Sequence, residues 1–175
     1  MRRSTVLKPQ DILVLLKLAV HPGEDWSNNR LATALKLSAS EIHDAIHRAS
    51  IAGLLNIRHR RPIRSSLEEL LVHGVKYVFP AERGPVTRGI PTAHAAPPLV
   101  SEFIAADEMA PVWPDPEGMI RGESLEPIYR SVPHAARLDA KLYEALALLD
   151  AIRIGRTRER KRAEELLHAM LCADA

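Results

Sequence analysis

Residues 31–55 read LATALKLSASEIHDAIHRASIAGLL, and this stretch decides the fold. Ser38 and Glu41 have capping-box spacing, in which each side chain accepts a hydrogen bond from the backbone N–H of the other residue. A helix is therefore predicted over about 39–52. Its buried face is formed by apolar residues at helical spacing, Ile42, Ala45, Ile46 and Ala49. Gly53 is a candidate for the left-handed residue that ends such a helix.

Two shorter helices are predicted upstream. Pro9 opens an amphipathic helix that runs to about Val20, where His21, Pro22 and Gly23 stop it. Ser27 is a good N-cap for a second helix, which runs to about residue 37. Three short helices with a tight turn between the last two form the plan of a helix-turn-helix.

The first helix has a second possible reading, because a basic start followed by an apolar run looks superficially like a signal peptide. Asp11 and Lys17 interrupt the run, and no small-x-small cleavage site follows it. The run is also far shorter than the roughly 20 apolar residues of a membrane span. We therefore expect a cytoplasmic protein that does not bind membranes.

The quoted stretch resembles the winged-helix domains of MarR-type and related bacterial transcriptional regulators. In those proteins a leucine-x-leucine-serine turn, here Leu35–Ser38, leads into a recognition helix closed by alanine-glycine-leucine, here Ala52–Leu54. The resemblance covers about residues 8–62 and implies sequence-specific binding of double-stranded DNA. Winged helices also serve as protein-interaction modules, which leaves a second class of function open.

The side of the third helix opposite its buried face would enter the major groove. Ser40 could contact a phosphate or a base, and Asp44 could accept from a cytosine amino group or reject wrong sequences. His43 and His47 have the i, i+4 spacing of metal ligands, but no third ligand lies nearby in sequence, so we predict DNA-facing imidazoles and no metal. The predicted DNA contacts on these helices are Arg30, Ser38, Ser40, His43, Asp44, His47 and Arg48, with Arg30 and Arg48 assigned to phosphates.

A basic segment follows Gly53. Leu55 and Ile57 alternate with polar residues as in a half-buried strand. In the regulators that the stretch resembles, this position holds the first strand of the wing. Here it carries four predicted phosphate or minor-groove contacts, Arg58, Arg60, Arg61 and Arg64. Because Ser65 and Ser66 look like the start of another helix, the wing is expected to be short or truncated.

The net charge of +2 hides an uneven distribution. Residues 1–64 hold 11 basic and 5 acidic side chains, a net charge of +6. Residues 65–150 hold 7 and 13, a net charge of −6, and residues 151–175 hold 6 and 4, a net charge of +2. A basic N-terminal third on an acidic middle suggests a polyanion-binding module joined to something else.

The sequence predicts a mainly α protein in three parts: a winged helix-turn-helix at 1–64, a middle region at 65–134 and a C-terminal helical pair at 135–175. A helical stripe from Leu67 to Phe79 opens the middle region, and a Pro/Gly-rich stretch that we expect to be ordered but irregular follows it. Further along, residues 119–122 could form a short strand. Arg83 and Arg88 in that stretch are expected to form salt bridges with the acidic middle. The C-terminal helices are expected either to form a dimer or to close the core of the domain.

No enzyme signature is present, and neither a cofactor nor a metal is expected, since the single cysteine, Cys172, lies near the end of the chain. The preferred function is a DNA-binding transcriptional regulator, a repressor acting as a homodimer. The alternative is an antitoxin-like or adaptor module that binds a protein partner through the acidic middle or the C-terminal helices. Gating by an effector ligand is a third possibility, for which the sequence offers no defined pocket.

Overall fold

The computed structural model describes residues 5–103 and 109–172. The chain is mainly helical and carries two small sheets. The first three helices lie where the sequence predicts them: α1 at Pro9–Val20, α2 at Asn28–Leu35 and α3 at Ala39–Ile51. Ser27 caps α2, and the chain leaves α3 through Gly53 at a φ of +72°, in the left-handed region that glycine tolerates best.

A two-stranded antiparallel hairpin follows α3. Its strands are β1, Leu55–Asn56, and β2, Arg61–Pro62, and Leu55 pairs with Pro62. The return strand, which the sequence left in doubt, is therefore present but only two residues long. The next helix begins directly after it, because α4 spans Arg64–Glu69 and continues through a π-helical turn at Leu70–Gly74 into α5, Val75–Val78.

The Pro/Gly-rich middle is not irregular, and the prediction was wrong on this point. It forms three strands, β3 at Arg83–Pro91, β4 at Pro111–Pro114 and β5 at Ile120–Leu125. β3 pairs antiparallel with both other strands, and β4 pairs parallel with β5, so the three strands close on one another.

Two glycines allow the strands to approach this closely. A Cβ atom on Gly89 would lie 2.1 Å from the carbonyl oxygen of Trp113, and one on Gly122 would lie 2.0 Å from that of Ala110. The short strand predicted at residues 119–122 is confirmed in part, because β5 includes residues 120–122. Periodicity did not reveal β3 and β4, because their glycines and prolines break the alternation of apolar and polar residues by which strands are recognised.

The C-terminal helices are α6, Val132–Leu138, α7, Ala140–Ile154, and α8, Thr157–Cys172. The apolar side chains of α7 are buried within the chain, where α7 packs against α1, α6 and α8. These side chains are Leu142, Ala145, Leu146, Leu148, Leu149 and Ile152. Of the two roles that the sequence allowed for this helix, closing the core is the one that the structure shows.

A buried carboxylate joins the three-stranded sheet to α7. Asp150 accepts hydrogen bonds from Trp113 Nε1 at 2.6 Å and Thr92 Oγ1 at 2.9 Å, and its other oxygen lies 2.7 Å from Arg153 Nη1. Burial raises the pKa of Asp150, and the three donors oppose that shift by favouring the ionised form. The same Arg153 donates to the Phe79 carbonyl, so the end of α5 is held at this point as well.

A second buried carboxylate joins α1 to α3. Asp11 is fully buried and receives Arg48 in a two-pronged ion pair, Nε to Oδ2 at 2.8 Å and Nη2 to Oδ1 at 2.7 Å. Asp11 also accepts from the backbone N–H of Lys8, which caps α1. Bidentate pairing of this kind fixes the relative geometry of its two partners.

Replacing Asp11 with Asn should destabilise the protein by about 3 to 5 kcal/mol, because it leaves the buried Arg48 guanidinium without a counter-charge. Urea unfolding followed by circular dichroism measures this loss. Asp25→Asn, an exposed change in the same segment, is the control and should have little effect. Equal stability losses in the two variants would contradict the assignment.

A third carboxylate ties the end of α1 to the start of α7. Asp139 caps α7 and accepts hydrogen bonds from Lys17 Nζ and, at 2.7 Å, from His21 Nε2. Burial by itself would raise the pKa of Asp139, but the hydrogen bonds from Lys17, the Leu142 backbone N–H and His21 outweigh it, so this pKa lies below its ordinary value.

The lowered pKa of Asp139 gives a pH dependence of defined sign. Its contribution to stability is complete above the unfolded-state value of 3.8 and is lost as the pH falls through the lower folded-state value. Asp139→Asn keeps a capping side chain but removes the charge. Urea unfolding of the variant should therefore show a shallower fall in stability between about pH 5 and pH 2. A fall as steep as that of the wild type would contradict this role.

Candidate nucleic-acid interface

The outward side of α3 is open to solvent in the described structure. α3 packs chiefly against α1, α2 and β1, and its opposite side carries Ser40 and His43, both exposed, with Asp44 and His47 half-buried beside them. Ile51, at the last turn, is 52% exposed on the same side. The helix therefore presents the predicted polar set together, in the arrangement that the sequence pattern indicated.

The capping box at the start of α3 is present as predicted. The Ser38 hydroxyl accepts from the Glu41 backbone N–H at 3.1 Å, and Glu41 Oε2 accepts from the Ser38 backbone N–H at 2.8 Å. These hydrogen bonds to Ser38 lower the pKa of Glu41. Ser38 remains exposed, so its hydroxyl proton is still available to an outside acceptor.

Arg48 does not lie on this surface, and its prediction as a phosphate contact was wrong. Its side chain is 5% exposed and both arms of its guanidinium are engaged by Asp11. Arg48 lies at the edge of the buried stripe of α3. A long cationic side chain at this position can turn inward if a buried carboxylate lies within hydrogen-bonding distance. The partner lies 37 residues away in the sequence, so helical spacing within α3 could not reveal it.

The hairpin carries most of the exposed positive charge beside α3. Arg58, His59 and Arg61 are exposed, and their side chains make no hydrogen bond or ion pair with the described residues. Asn56 holds the turn, because its side-chain oxygen accepts from the backbone N–H groups of Arg58 and His59. No role for Asn56 was predicted from the sequence.

Arg60 and Arg64 differ from the other two hairpin arginines. Arg60 has a positive φ of 51°, and its side chain turns back toward α2, where Nη2 donates to Asn28 Oδ1 at 2.6 Å. Arg64, the first residue of α4, is half-buried. The four predicted arginines thus divide into two that project into solvent and two that lie against the protein.

Arg30 is held by its own loop. It hydrogen-bonds to the Asp25 carbonyl and to Glu24, and its guanidinium lies 4.5 Å from the centre of the Trp26 ring. Lys17 Nζ lies 4.5 Å from the same ring, so two cations contact one indole. The side chain of Arg30 is still 55% exposed, which leaves part of its guanidinium accessible.

Three arginines elsewhere in the described structure pair with carboxylates of the acidic middle. Arg83 pairs with Glu123, Arg137 pairs with Asp115 and Glu117, and Arg162 pairs with Glu102. The salt bridge expected of Arg83 is therefore confirmed, and Arg88, which is exposed, has no such partner among the described residues. Arg83 and Arg137 thus pair within the acidic middle itself, and Arg162 joins the C-terminal basic segment to it.

One described cluster has the composition of a metal site: Glu68, His168 and Cys172, whose potential ligand atoms lie within 4.8 Å of one another. His168 Nδ1 and Glu68 Oε1 are only 2.7 Å apart, which is a hydrogen-bond distance. Ligand atoms on one tetrahedral zinc ion lie about 3.3 Å apart, so these side chains would have to move to hold one. His43 and His47 belong to no such cluster in the described residues.

A scan against protein-family models and searches of curated proteins and of solved structures return no match to this chain. Within residues 5–103 and 109–172, no helix is long and apolar enough to cross a membrane.

Proposed function

We propose that the protein is a sequence-specific DNA-binding regulator of the winged helix-turn-helix type, related to the MarR-like proteins. In this proposal α3 is the recognition helix and the 55–62 hairpin is the wing. The observation that carries the proposal is the placement of the exposed Arg58 and Arg61 on a hairpin that directly follows α3 and contacts it through β1. A helix of this kind can enter the major groove of a DNA duplex, and the positive charge of the wing can neutralise phosphates of the DNA backbone.

The side chains divide into two roles. Ser40, His43 and His47 can donate to and accept from base edges in the major groove, and Asp44 can accept from a cytosine amino group. Arg58 and Arg61 supply sequence-independent contacts to phosphates. Because Asp11 and Arg48 lock α3 to α1, the reading side chains are presented by a rigid helix rather than by a loop.

Action as a dimeric repressor is the second part of the proposal, since operators of helix-turn-helix proteins commonly mirror a two-fold axis. The dimer interface must lie outside the apolar face of α7, which the chain buries itself. The alternative of an adaptor rested on the acidic charge of the middle region and on the C-terminal helices. Several of those carboxylates are paired with arginines of the same chain, so that charge is less available to a basic partner.

Changing Arg58 and Arg61 together to Ala should weaken binding to any duplex. It should also make the plot of log affinity against log salt concentration less steep, by the amount expected for about two phosphate contacts. Fluorescence anisotropy of a labelled duplex over a series of salt concentrations measures both quantities. Arg121→Ala, which removes an exposed arginine of β5, is the matched control and should leave both unchanged. Equal effects of the hairpin and control variants would contradict the assignment of the wing.

His43→Ala and His47→Ala should change which sequences are preferred without changing the salt dependence, because a base contact releases no counterions. Selection from a random duplex library, carried out with each variant, measures the preference. An unchanged selected sequence in both variants would show that α3 does not read the bases.

A further inference from the structure

Glu68, His168 and Cys172 lie together where α4 packs against α8. His168 and Cys172 are four residues apart on α8, and Glu68 is on α4. Each of the three directly follows a buried leucine, namely Leu67, Leu167 or Leu171. The residue after each leucine lies about 100° further round its helix, at the edge of the buried face. The packing of the two helices through these faces therefore brings the three polar side chains together.

The distances between the three side chains are close to those that one zinc ion requires. His168 Nδ1 is 2.7 Å from Glu68 Oε1 and 4.0 Å from Cys172 Sγ, and one ligand atom of each residue lies within 4.8 Å of the others. On tetrahedral zinc the separations are about 3.3 Å between N and O and about 3.5 Å between N and S. Movements of roughly half an ångström satisfy both separations. The His168 side chain, which is 59% exposed, has room to make them.

The three side chains are also of the types that bind zinc in proteins, through a thiolate sulfur, an imidazole nitrogen and a carboxylate oxygen. Magnesium and calcium prefer sites made of oxygen atoms alone, so the thiol of Cys172 disfavours them. The ionised Glu68 and Cys172 together carry two negative charges, which balance a divalent cation. Two ligands at i and i+4 on one helix are a recurring pair in zinc sites, and this is the spacing of His168 and Cys172.

The hydrogen bond between His168 and Glu68 accounts for the placement of two of the three residues without a metal. It does not account for Cys172. Free cysteine is among the most buried residue types, whereas Cys172 is exposed and its thiol lies 3.9 Å from His168 Nε2. The carboxylate and the thiol thus approach the same imidazole, although Glu68 is 100 residues from His168 in the sequence. A metal ion is a partner that uses all three groups at once.

We propose that Glu68, His168 and Cys172 bind one zinc ion, with a water molecule in the fourth position. Zinc requires the thiolate form of Cys172 and a free lone pair on His168, so it competes with protons for both groups and binds more weakly as the pH falls. The ion links the last turn of α8 to α4. Because the linked residues are distant in the sequence, the unfolded chain does not hold them together, and zinc binding therefore stabilises the folded state.

Cobalt(II) is the probe for the site, because it takes the same tetrahedral ligand sets as zinc and is coloured. Cys172 is the single cysteine of the chain, so a thiolate-to-cobalt charge-transfer band in the near ultraviolet reports on this residue alone. Titration of untagged, reduced protein should produce this band, saturate at one cobalt per chain and lose the band when zinc is added. The absence of the band, or saturation at one cobalt per two chains, would overturn the proposal.

Variants identify the ligands. Cys172→Ser should abolish the charge-transfer band, and His168→Gln and Glu68→Gln should each weaken zinc binding at least tenfold, from a wild-type Kd of about 1 µM or tighter. Competition with a coloured chelator measures these affinities. Glu69→Gln, next to Glu68, and His134→Gln, on α6, are the matched controls, since both residues are exposed, and each should bind zinc as the wild type does. Wild-type zinc affinity in Glu68→Gln and His168→Gln would overturn the proposal.

Thermal unfolding tests whether the ion joins the two helices. Saturating zinc should raise the midpoint of unfolding of the wild type and should leave that of Cys172→Ser unchanged. Magnesium at the same concentration should have no effect on either protein. Equal zinc effects on the two proteins would overturn the site. None of these measurements involves DNA, so their outcome leaves the proposed function as it stands.

Discussion

The ion pair between Asp11 and Arg48 is the constraint on which the proposed interface depends. Both groups are buried, so either one alone would be strongly unfavourable, and each requires the other. The Asp11 carboxylate also caps the N-terminus of α1 by accepting from the Lys8 backbone N–H. One side chain therefore caps α1 and sets the rotation of α3. With Arg48 directed inward, Ser40, His43 and His47 are directed away from the core. The open side of α3 is thus a consequence of the burial of a charge.

Two other carboxylates, Asp139 and Asp150, also accept hydrogen bonds from donors on several segments of the chain. Asp139, at the start of α7, accepts hydrogen bonds from Lys17 and His21. Asp150, in the second half of α7, accepts hydrogen bonds from Trp113, Thr92 and Arg153. Asp139 caps α7 and Asp150 lies on it, and both accept from segments that are distant in the sequence, while Asp150 also pairs with Arg153 of its own helix. Besides its buried apolar side chains, α7 therefore also carries polar groups that set the orientation of its neighbours. Such networks stabilise one arrangement because any other would leave a buried polar group unsatisfied.

Capping residues and helical spacing predicted the first three helices, because these signals act between residues that are close in the sequence. The capping box at Ser38 and Glu41, the N-cap at Ser27 and the left-handed Gly53 act within a few residues, and all three are present. A short strand near β5 was predicted, but β3, β4 and the closure of the sheet were missed, because Gly89 and Gly122 permit close approach between strands and do not mark a turn. Arg48 was misassigned for the same physical reason, since its partner is on another helix.

The central claim is that α3 and the hairpin together form a surface that binds double-stranded DNA. The most direct measurement is the mapping of backbone amide shifts in the nitrogen–proton NMR spectrum as a short duplex is added at low salt. The account predicts that the shifts concentrate in α3 and residues 55–62 and leave β3, β4 and β5 unchanged. The absence of shifts at saturating duplex, or shifts concentrated in the three-stranded sheet, would contradict it.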